Sequence, residues 1–301
     1  MHQAYLELNK VRTKISTWGR WVEESTKEVE DIVIIVTGNP GVNGFYDLFA
    51  KTLYEKLGYS VWCIGHAGHD LPEGPIDLPK FNEHRELYGL QGQIKHKVDF
   101  FEKYIPNNAR IHLIGHSIGS YMILELINHP AIKDKISDVY LLFPTIEHMA
   151  DTTNGKFLTN FIKHIVWLIV FLSWIFTILP SIIQNILLYG YMLVMGIPSN
   201  VHLNNLKALI KPGVLRRVFF LAYEELDQVR ERNNEAIKAN INKVKLYYGK
   251  TDGWAPESFY ERIKVDIPNV NAQLCSFNHA FVLKTSVEIG QIVGDWIKAK
   301  Q

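Results

Sequence analysis

At 301 residues the chain is long enough for one large domain or two small ones, and either would bury a substantial core. A composition of 47% hydrophobic and 21% charged residues is globular and excludes a disordered chain or a coiled coil. The formal net charge of +1, with no basic stripe, gives no reason to expect a nucleic-acid partner.

Cysteine usage and the N-terminus indicate the compartment. Cys63 and Cys275 cannot form a disulfide framework, which favours a reducing environment. Residues 1–20 carry polar side chains throughout and lack the apolar stretch of a secretory signal peptide, so we expect none.

Apolar runs alternate with amphipathic segments along most of the chain. The runs predict buried parallel strands in DIVIIVTG from Asp31, YSVWCIG from Tyr59, RIHLIG from Arg110, SDVYLLF from Ser137, KVKLYYG from Lys243 and NAQLCSF from Asn271. Helices are predicted between them, and a loop over residues 66–82. This alternation predicts an α/β fold with an open, mostly parallel sheet and helices on both faces.

One long interruption divides this pattern. Residues 146–242 separate two strands that would be neighbours in the sheet. We therefore expect a core built from residues 1–145 and 243–301, with residues 146–242 as a large, helical, strongly apolar cap. Insertions at the carboxyl ends of strands lie over the active site in α/β enzymes.

The segment GHSIG, residues 115–119, matches the G-x-S-x-G pattern of a catalytic serine. An apolar strand enters it and a helical pattern leaves it, which is the setting that strains the serine and exposes its hydroxyl above the sheet. The alternative is a glycine-bounded turn with an incidental serine. We predict that Ser117 is a nucleophile.

A serine nucleophile needs a base and an orienting acid. His279 follows the last predicted strand and Asp252 follows the preceding one, so both are expected at the same edge of the sheet. The chain order Ser117, Asp252, His279 is that of an α/β-hydrolase. Glu147 and Asp151, which follow the strand before the cap, are the rival acids.

Two backbone N–H groups are predicted to stabilise the oxyanion of the tetrahedral intermediate. One belongs to Ile118, directly after the nucleophile, and the other to Asn39 in the loop after the first long strand. Pro40 has no N–H to offer. The alternative is that this loop is only a tight turn.

The other histidines carry no predicted chemistry. His66 and His69 lack a carboxylate or cysteine partner at ligand spacing, so a structural loop is favoured over a metal site. His112 and His116 flank the serine and are assigned to packing or to the surface. We therefore expect no metal and no cofactor.

Four segments together resemble the lipid droplet-associated hydrolase family, which has the α/β-hydrolase fold. They are GNPGVNGFY (residues 38–46), GHSIG, YYGKTDGW (residues 247–254) and FNHAF (residues 277–281). The resemblance extends from about Ile32 to the C-terminal helix. It implies the same triad, residence at lipid droplets and on the cytosolic face of the endoplasmic reticulum, and esterase activity on apolar lipid esters such as sterol esters.

Two classes of function fit these residues. The first is a serine esterase or lipase acting on sterol esters or acylglycerols, with an acyltransferase as a close variant because the triad would be the same. The second is a structural coat protein of droplets that affects neutral lipid storage without turnover. An intact nucleophile, base, acid and oxyanion loop favour the enzyme. The oligomeric state stays open.

The cap contains a stretch without Lys, Arg, Asp or Glu from His164 to Leu206. Its first arm, Ile165–Leu179, would be shorter than the roughly 20 residues a membrane span needs. A single crossing would also separate Ser117 from His279. A monotopic hairpin broken at Pro180 is favoured over a buried pair of cap helices. The predicted lipid contacts are Ile165, Trp167, Trp174, Leu179, Pro180, Ile182, Leu187 and Met192.

Overall fold

A computed structural model describes residues 1–24, 29–72, 74 and 78–300, and four residues of the predicted loop 66–82 lie outside these ranges. The strands are β1 (His2–Leu8), β2 (Val11–Trp18), β3 (Glu30–Val36), β4 (Ser60–Ile64), β5 (Ala109–His116), β6 (Ile136–Leu142), β7 (Val244–Gly249) and β8 (Asn271–Cys275). They form one sheet in the order β1-β2-β4-β3-β5-β6-β7-β8. The pairs from β4 through β8 are parallel, whereas β1–β2 and β2–β4 are antiparallel.

Helices cover both faces of the sheet. Those of the core are α1 (Asp47–Leu57), α2 (Leu90–Tyr104), α3 (Ile118–Leu126), α10 (Glu257–Asp266) and α11 (Ser286–Lys298). Alternate residues of β3 face opposite sides, since Ile34 belongs to the apolar cluster that includes residues of α2, α3 and α10, and Ile35 to the cluster that includes residues of α1 and α11. The predicted mostly parallel sheet with helices on both faces is confirmed.

An N-terminal hairpin extends the sheet beyond the predicted strands. Strands β1 and β2 are joined at Asn9 and Lys10, both at positive φ, a conformation that suits a tight hairpin turn. Leu8, Val11 and Ile15 are fully buried. Polar residues interrupt the apolar ones along both strands, and Thr13, Ser16 and Thr17 are themselves buried, which is why an apolar-run criterion does not detect the hairpin.

The segment between β6 and β7 is helical. It contains α4 (Thr153–Phe157), α5 (Lys163–Ile178), α6 (Ser181–Met195), α7 (Ser199–Leu209), α8 (Pro212–Gln228) and α9 (Asn234–Ala239). Helix α5 packs against α8, and α6 packs against α7. The predicted strongly apolar helical insertion is confirmed.

The helix that contains the first apolar arm begins before the charge-free stretch. A single turn of π-helix, Leu158–Ile162, joins α4 to α5, so that one continuous helix of 26 residues runs from Thr153 to Ile178. By length and composition it is the one described helix that could cross a membrane. Helices α6 and α7 pass the same test only when taken together, and they are bent by 118°.

The predicted lipid contacts differ in exposure. Ile165, Trp167, Trp174, Pro180, Ile182 and Leu187 are exposed, and Leu179 is half-buried. Met192 is 0% exposed and packs in the core beside Leu188 and Ile197. The predicted lipid contact of Met192 is therefore wrong for this conformation, because α6 turns that side inward.

Candidate active site

Ser117 forms the junction between a strand and a helix. Strand β5 ends at His116 and α3 begins at Ile118, so the serine alone makes the turn, with φ 54° and ψ −124°. A Cβ on Gly119 would lie 2.3 Å from the carbonyl oxygen of Val36, so only glycine fits there. The turn presents the serine hydroxyl at the carboxyl edge of the sheet.

The structure brings the three predicted triad residues together. The Ser117 Oγ lies 2.9 Å from His279 Nε2, and His279 Nδ1 lies 2.7 Å from Asp252 Oδ2. With Nδ1–H donating to the carboxylate, Nε2 is the ring nitrogen free to accept the hydrogen bond of the Ser117 hydroxyl. The residues come from the carboxyl ends of β5, β7 and β8, which meet at one edge.

Asp252 is held as an anion. Its other oxygen accepts hydrogen bonds from the backbone N–H groups of Trp254, at 2.8 Å, and Ala255, at 3.1 Å. Burial by itself raises the pKa of this carboxyl, but the hydrogen bond and charge of His279 and the two backbone donors outweigh burial, so the pKa lies below its ordinary value. A carboxylate in this state stabilises the imidazolium that forms when the histidine takes a proton.

The two rival acids lie elsewhere. Glu147 is buried in an ion-pair cluster with Arg232 and Arg262. The Asp151 side chain is exposed beside His148, at 3.6 Å. Neither is hydrogen-bonded to His279, so Asp252 is the acid that the geometry places in the triad.

The loop after β3 adjoins the nucleophile. A Cβ on Gly38 would lie 3.0 Å from the Cβ of Ser117, and Asn39 lines the same cavity as Ser117 and His279. Ile118 is the first residue of α3, so its N–H has no partner within the helix. The two predicted oxyanion donors are therefore neighbours of the serine.

His116 connects this loop to His279, a contact that sequence reasoning missed. Its Nε2–H donates to the carbonyl oxygen of His279 at 2.9 Å. Its Nδ1 therefore carries no hydrogen and accepts from the Tyr46 hydroxyl, with 2.6 Å between Nδ1 and the hydroxyl oxygen. The Tyr46 oxygen in turn accepts from the backbone N–H of Gly38 at 2.7 Å. Burial lowers the pKa of His116 to about 3, so the ring stays neutral and serves as a hydrogen-bond bridge. The available sequence signal was its position directly before the nucleophile.

The loop that carries His66 and His69 is hydrogen-bonded to the loop after β3, which contains Asn39. His69 Nδ1 accepts the backbone N–H of Gly41 at 3.0 Å. His66 Nδ1 lies 3.3 Å from the buried Lys97 Nζ, which also donates to the carbonyl oxygen of Gly65. No group of three or more His, Cys, Asp or Glu residues suited to a metal ion occurs in the described ranges.

Two apolar cavities meet at Asn39 and His279. The first, of about 190 Å³, contains Ser117 and is lined by Met149, Leu158, Val218, Phe219, Ala222, Glu225 and Trp254. The second, of about 210 Å³, is lined on one side by Tyr191, Ile197, Leu206 and Leu209 of the cap. An ester at Ser117 would thus have apolar space on both sides of its carbonyl.

Known proteins that are similar to this chain share one description. A family model described as "Lipid-droplet associated hydrolase" matches residues 29–282. The "Lipid droplet-associated hydrolase" of Drosophila melanogaster is 45% identical, over 99% of this chain and 98% of that protein. The mouse (Mus musculus) protein of the same name is 35% identical, over 95% of this chain and 92% of its own.

The fold also matches solved structures. An N-formylmaleamic acid deformylase from Pseudomonas putida aligns with a TM-score of 0.64, over 98% of this chain and 100% of that one. At 11% sequence identity this likeness concerns the fold alone, and it confirms the α/β-hydrolase architecture.

Proposed function

The chain belongs to the lipid droplet-associated hydrolase family, and on that premise we propose that it is a serine ester hydrolase acting on apolar lipid esters at the droplet surface. Sterol esters and acylglycerols are the substrate class, because each presents a carbonyl beside apolar bulk. The relatives are named for droplet association and for hydrolysis, and the proposal extends both to this chain.

One observation carries the proposal. Ser117, His279 and Asp252 are joined by hydrogen bonds of 2.9 Å and 2.7 Å, and Ser117 and His279 line a largely apolar cavity. A nucleophile paired with a base, which is in turn paired with a buried acid, is the arrangement required for acyl transfer.

Each step of the reaction has a residue in position. The Ser117 Oγ attacks the ester carbonyl while His279 Nε2 takes its proton, and the N–H groups of Asn39 and Ile118 receive the oxyanion. Collapse of the intermediate expels the alcohol, which takes the proton from His279, and leaves an acyl-serine. Water activated by His279 then attacks the acyl carbonyl, releasing the acid and restoring Ser117.

The exposed apolar helices α5 and α6 support droplet binding. Leu193 is 82% exposed and Val194 is 85% exposed, and several aromatic and aliphatic side chains of the same two helices are exposed as well. Exposure of so many apolar side chains to water is unfavourable. A phospholipid monolayer over neutral lipid would cover such a surface. We place the protein on the cytosolic face of the droplet and of the endoplasmic reticulum membrane, in keeping with two free cysteines.

A fluorophosphonate probe and emulsified esters test the proposal together. The purified chain should be labelled at Ser117 and should hydrolyse cholesteryl oleate or triolein emulsions, whereas Ser117→Ala should do neither. Ser276→Ala is the matched control, since Ser276 is exposed on the loop that carries His279.

Two results would contradict the enzyme. One is a folded wild-type chain that neither reacts with the probe nor hydrolyses any ester. The other is a Ser117→Ala chain that retains every effect of the wild type on cellular neutral lipid, which would indicate a coat protein.

A further inference from the structure

A buried carboxyl group of the cap contacts the oxyanion loop. Glu225 lies on α8, is 2% exposed, and lines the cavity that contains Ser117. Its Oε1 accepts a hydrogen bond from Asn39 Nδ2 at 3.0 Å. The catalytic cycle described above makes no use of this group.

The side-chain amide of Asn39 is hydrogen-bonded to α8 at two points. The same Nδ2 donates to the carbonyl oxygen of Val218 at 3.0 Å, so the two hydrogens of one amide go to one cap helix. In the described part of the chain the buried Asn39 Oδ1 has no partner. The two bonds to α8 therefore fix the orientation of the amide, and with it the backbone of the residue predicted to donate to the oxyanion.

The buried position of Glu225 beside Asn39 favours the protonated, neutral carboxyl group over the ionised one. Burial raises the pKa of Glu225 to about 8, and the hydrogen bond from Asn39 acts weakly in the opposite direction. An ionised carboxylate beside the oxyanion loop would oppose the negative charge that develops there, so the neutral acid is the favourable form.

The surroundings offer Glu225 no cation. Among the described residues lining the cavity, His279 is the other titratable group, and Asp252 lies behind it. Helix α8 packs against α2, α5, α7 and the turn Met149–Asp151. The charged side chains of those elements, including Lys97, Asp151, Lys163 and Lys207, do not line the cavity.

We propose that Glu225 is a positioning residue that, in its protonated form, holds Asn39 so that its backbone N–H faces the oxyanion. The inference rests on the proposed ester hydrolysis. On this proposal the core supplies the oxyanion donors Asn39 and Ile118, and the cap supplies the residue that positions Asn39. Helix α8 also packs against the lipid-facing helix α5. A displacement of α5 and α8 would therefore move Glu225 and change the position of Asn39 in the oxyanion hole.

Kinetics on a soluble ester, p-nitrophenyl butyrate, separate positioning from binding. Glu225→Ala should lower kcat by about tenfold or more with KM within about twofold, since a misplaced oxyanion donor weakens the transition state and spares substrate binding. Asp227→Asn removes an exposed carboxylate from the same helix and should leave both constants unchanged. A folded Glu225→Ala with the kcat of the wild type would overturn the inference.

The pH profile supplies a second test, which stands even if Glu225→Ala does not fold. The kcat of the wild type should fall as the pH rises through about 8, where Glu225 ionises. Glu225→Gln keeps a neutral acceptor for Asn39, so it should retain kcat within about threefold at neutral pH and lose this alkaline fall. An alkaline fall that persists unchanged in Glu225→Gln would overturn the inference.

Reaction with the fluorophosphonate probe distinguishes the two proposals. A wild-type chain that does not react overturns the proposed function, and this inference with it. A reactive wild type whose Glu225→Ala variant reacts at the same rate overturns this inference alone.

Discussion

Ser117 holds a positive φ that is costly for a residue with a side chain, so neighbouring groups must maintain it. Its N–H donates to the carbonyl oxygen of Leu142 on β6, and its own carbonyl oxygen accepts from Ser120 at the start of α3. His116, on the other side, joins the Gly38 loop to the loop of His279. At this scale the conformation of Ser117 depends on backbone contacts as well as on its hydrogen bond to His279.

Asp252→Asn should abolish most of the activity. The amide can donate to His279 Nδ1 and favour the wrong tautomer, so kcat should fall by about 10³- to 10⁴-fold with little change in KM. Steady-state kinetics on a soluble ester measure this. Asp151→Asn changes the exposed rival acid and should leave kcat within about twofold, and an equal loss in both variants would refute the assignment.

Glu225 should make stability depend on pH. The unfolded chain releases this proton near the ordinary carboxyl pKa of 4.5, whereas the folded chain keeps it to about 8, so the wild type loses stability as pH rises between these values. Glu225→Gln removes that loss. The melting temperature of the variant minus that of the wild type should therefore grow from about pH 5 to about pH 8. A difference that stays flat or shrinks would disprove the burial of a neutral acid.

Helix α6 shows how two apolar faces of one element can serve different purposes. Leu188 and Met192 pack into the core beside Ile197, whereas Leu193 and Val194 point to solvent. A helix that is apolar all round gives no sequence signal for which face is which. The partition follows from how α6 and α7 rest on the core.

Replacing Leu193 and Val194 together by glutamate should release the protein from droplets. Charged groups are costly to place in an apolar phase, so most of the bound fraction should move to the soluble fraction in flotation with artificial droplets. Val265→Glu is the control, because Val265 is 78% exposed on α10, outside the cap. Thermal melting should show that both variants are folded. Unchanged flotation of the double variant would place the anchor elsewhere.

The whole molecule brings distant segments to one edge of the sheet. Ser117 precedes the cap in sequence, and Asp252 and His279 follow it, yet the three are in hydrogen-bond contact because β5, β6, β7 and β8 are consecutive in the sheet. The cap therefore leaves the core and returns to the same side. A single membrane crossing within this segment would separate Ser117 from His279, so it is incompatible with their hydrogen bond.

Removing residues 1–18 should destabilise the whole fold. Strand β2 covers the edge of β4, and Trp18 and Ile15 lie in the two cores of the sheet. An uncovered edge strand promotes aggregation, so the truncated chain should be largely insoluble or melt at a much lower temperature. Trimming only the exposed residues 1–3 should have little effect. A truncated chain that stays soluble with an unchanged melting temperature would contradict the structural role of the hairpin.

The sequence by itself determined the parts of the protein that are locally encoded. The parallel strands are continuous apolar runs, and GHSIG couples a strand to a helix in five residues, so the fold class and the strand-to-helix turn at Ser117 follow from short windows. The order of Ser117, Asp252 and His279 then follows from strand ends that must share an edge.

Only the tertiary structure decided the features that join distant segments. The burial of Met192, the bridge from Gly38 through Tyr46 and His116 to His279, and the contact between Asn39 and Glu225 link residues far apart in sequence. The local pattern around Glu225 is that of an ordinary amphipathic helix, and it does not reveal which carboxylate faces the core. Such contacts depend on how whole elements pack, which no short window of sequence records.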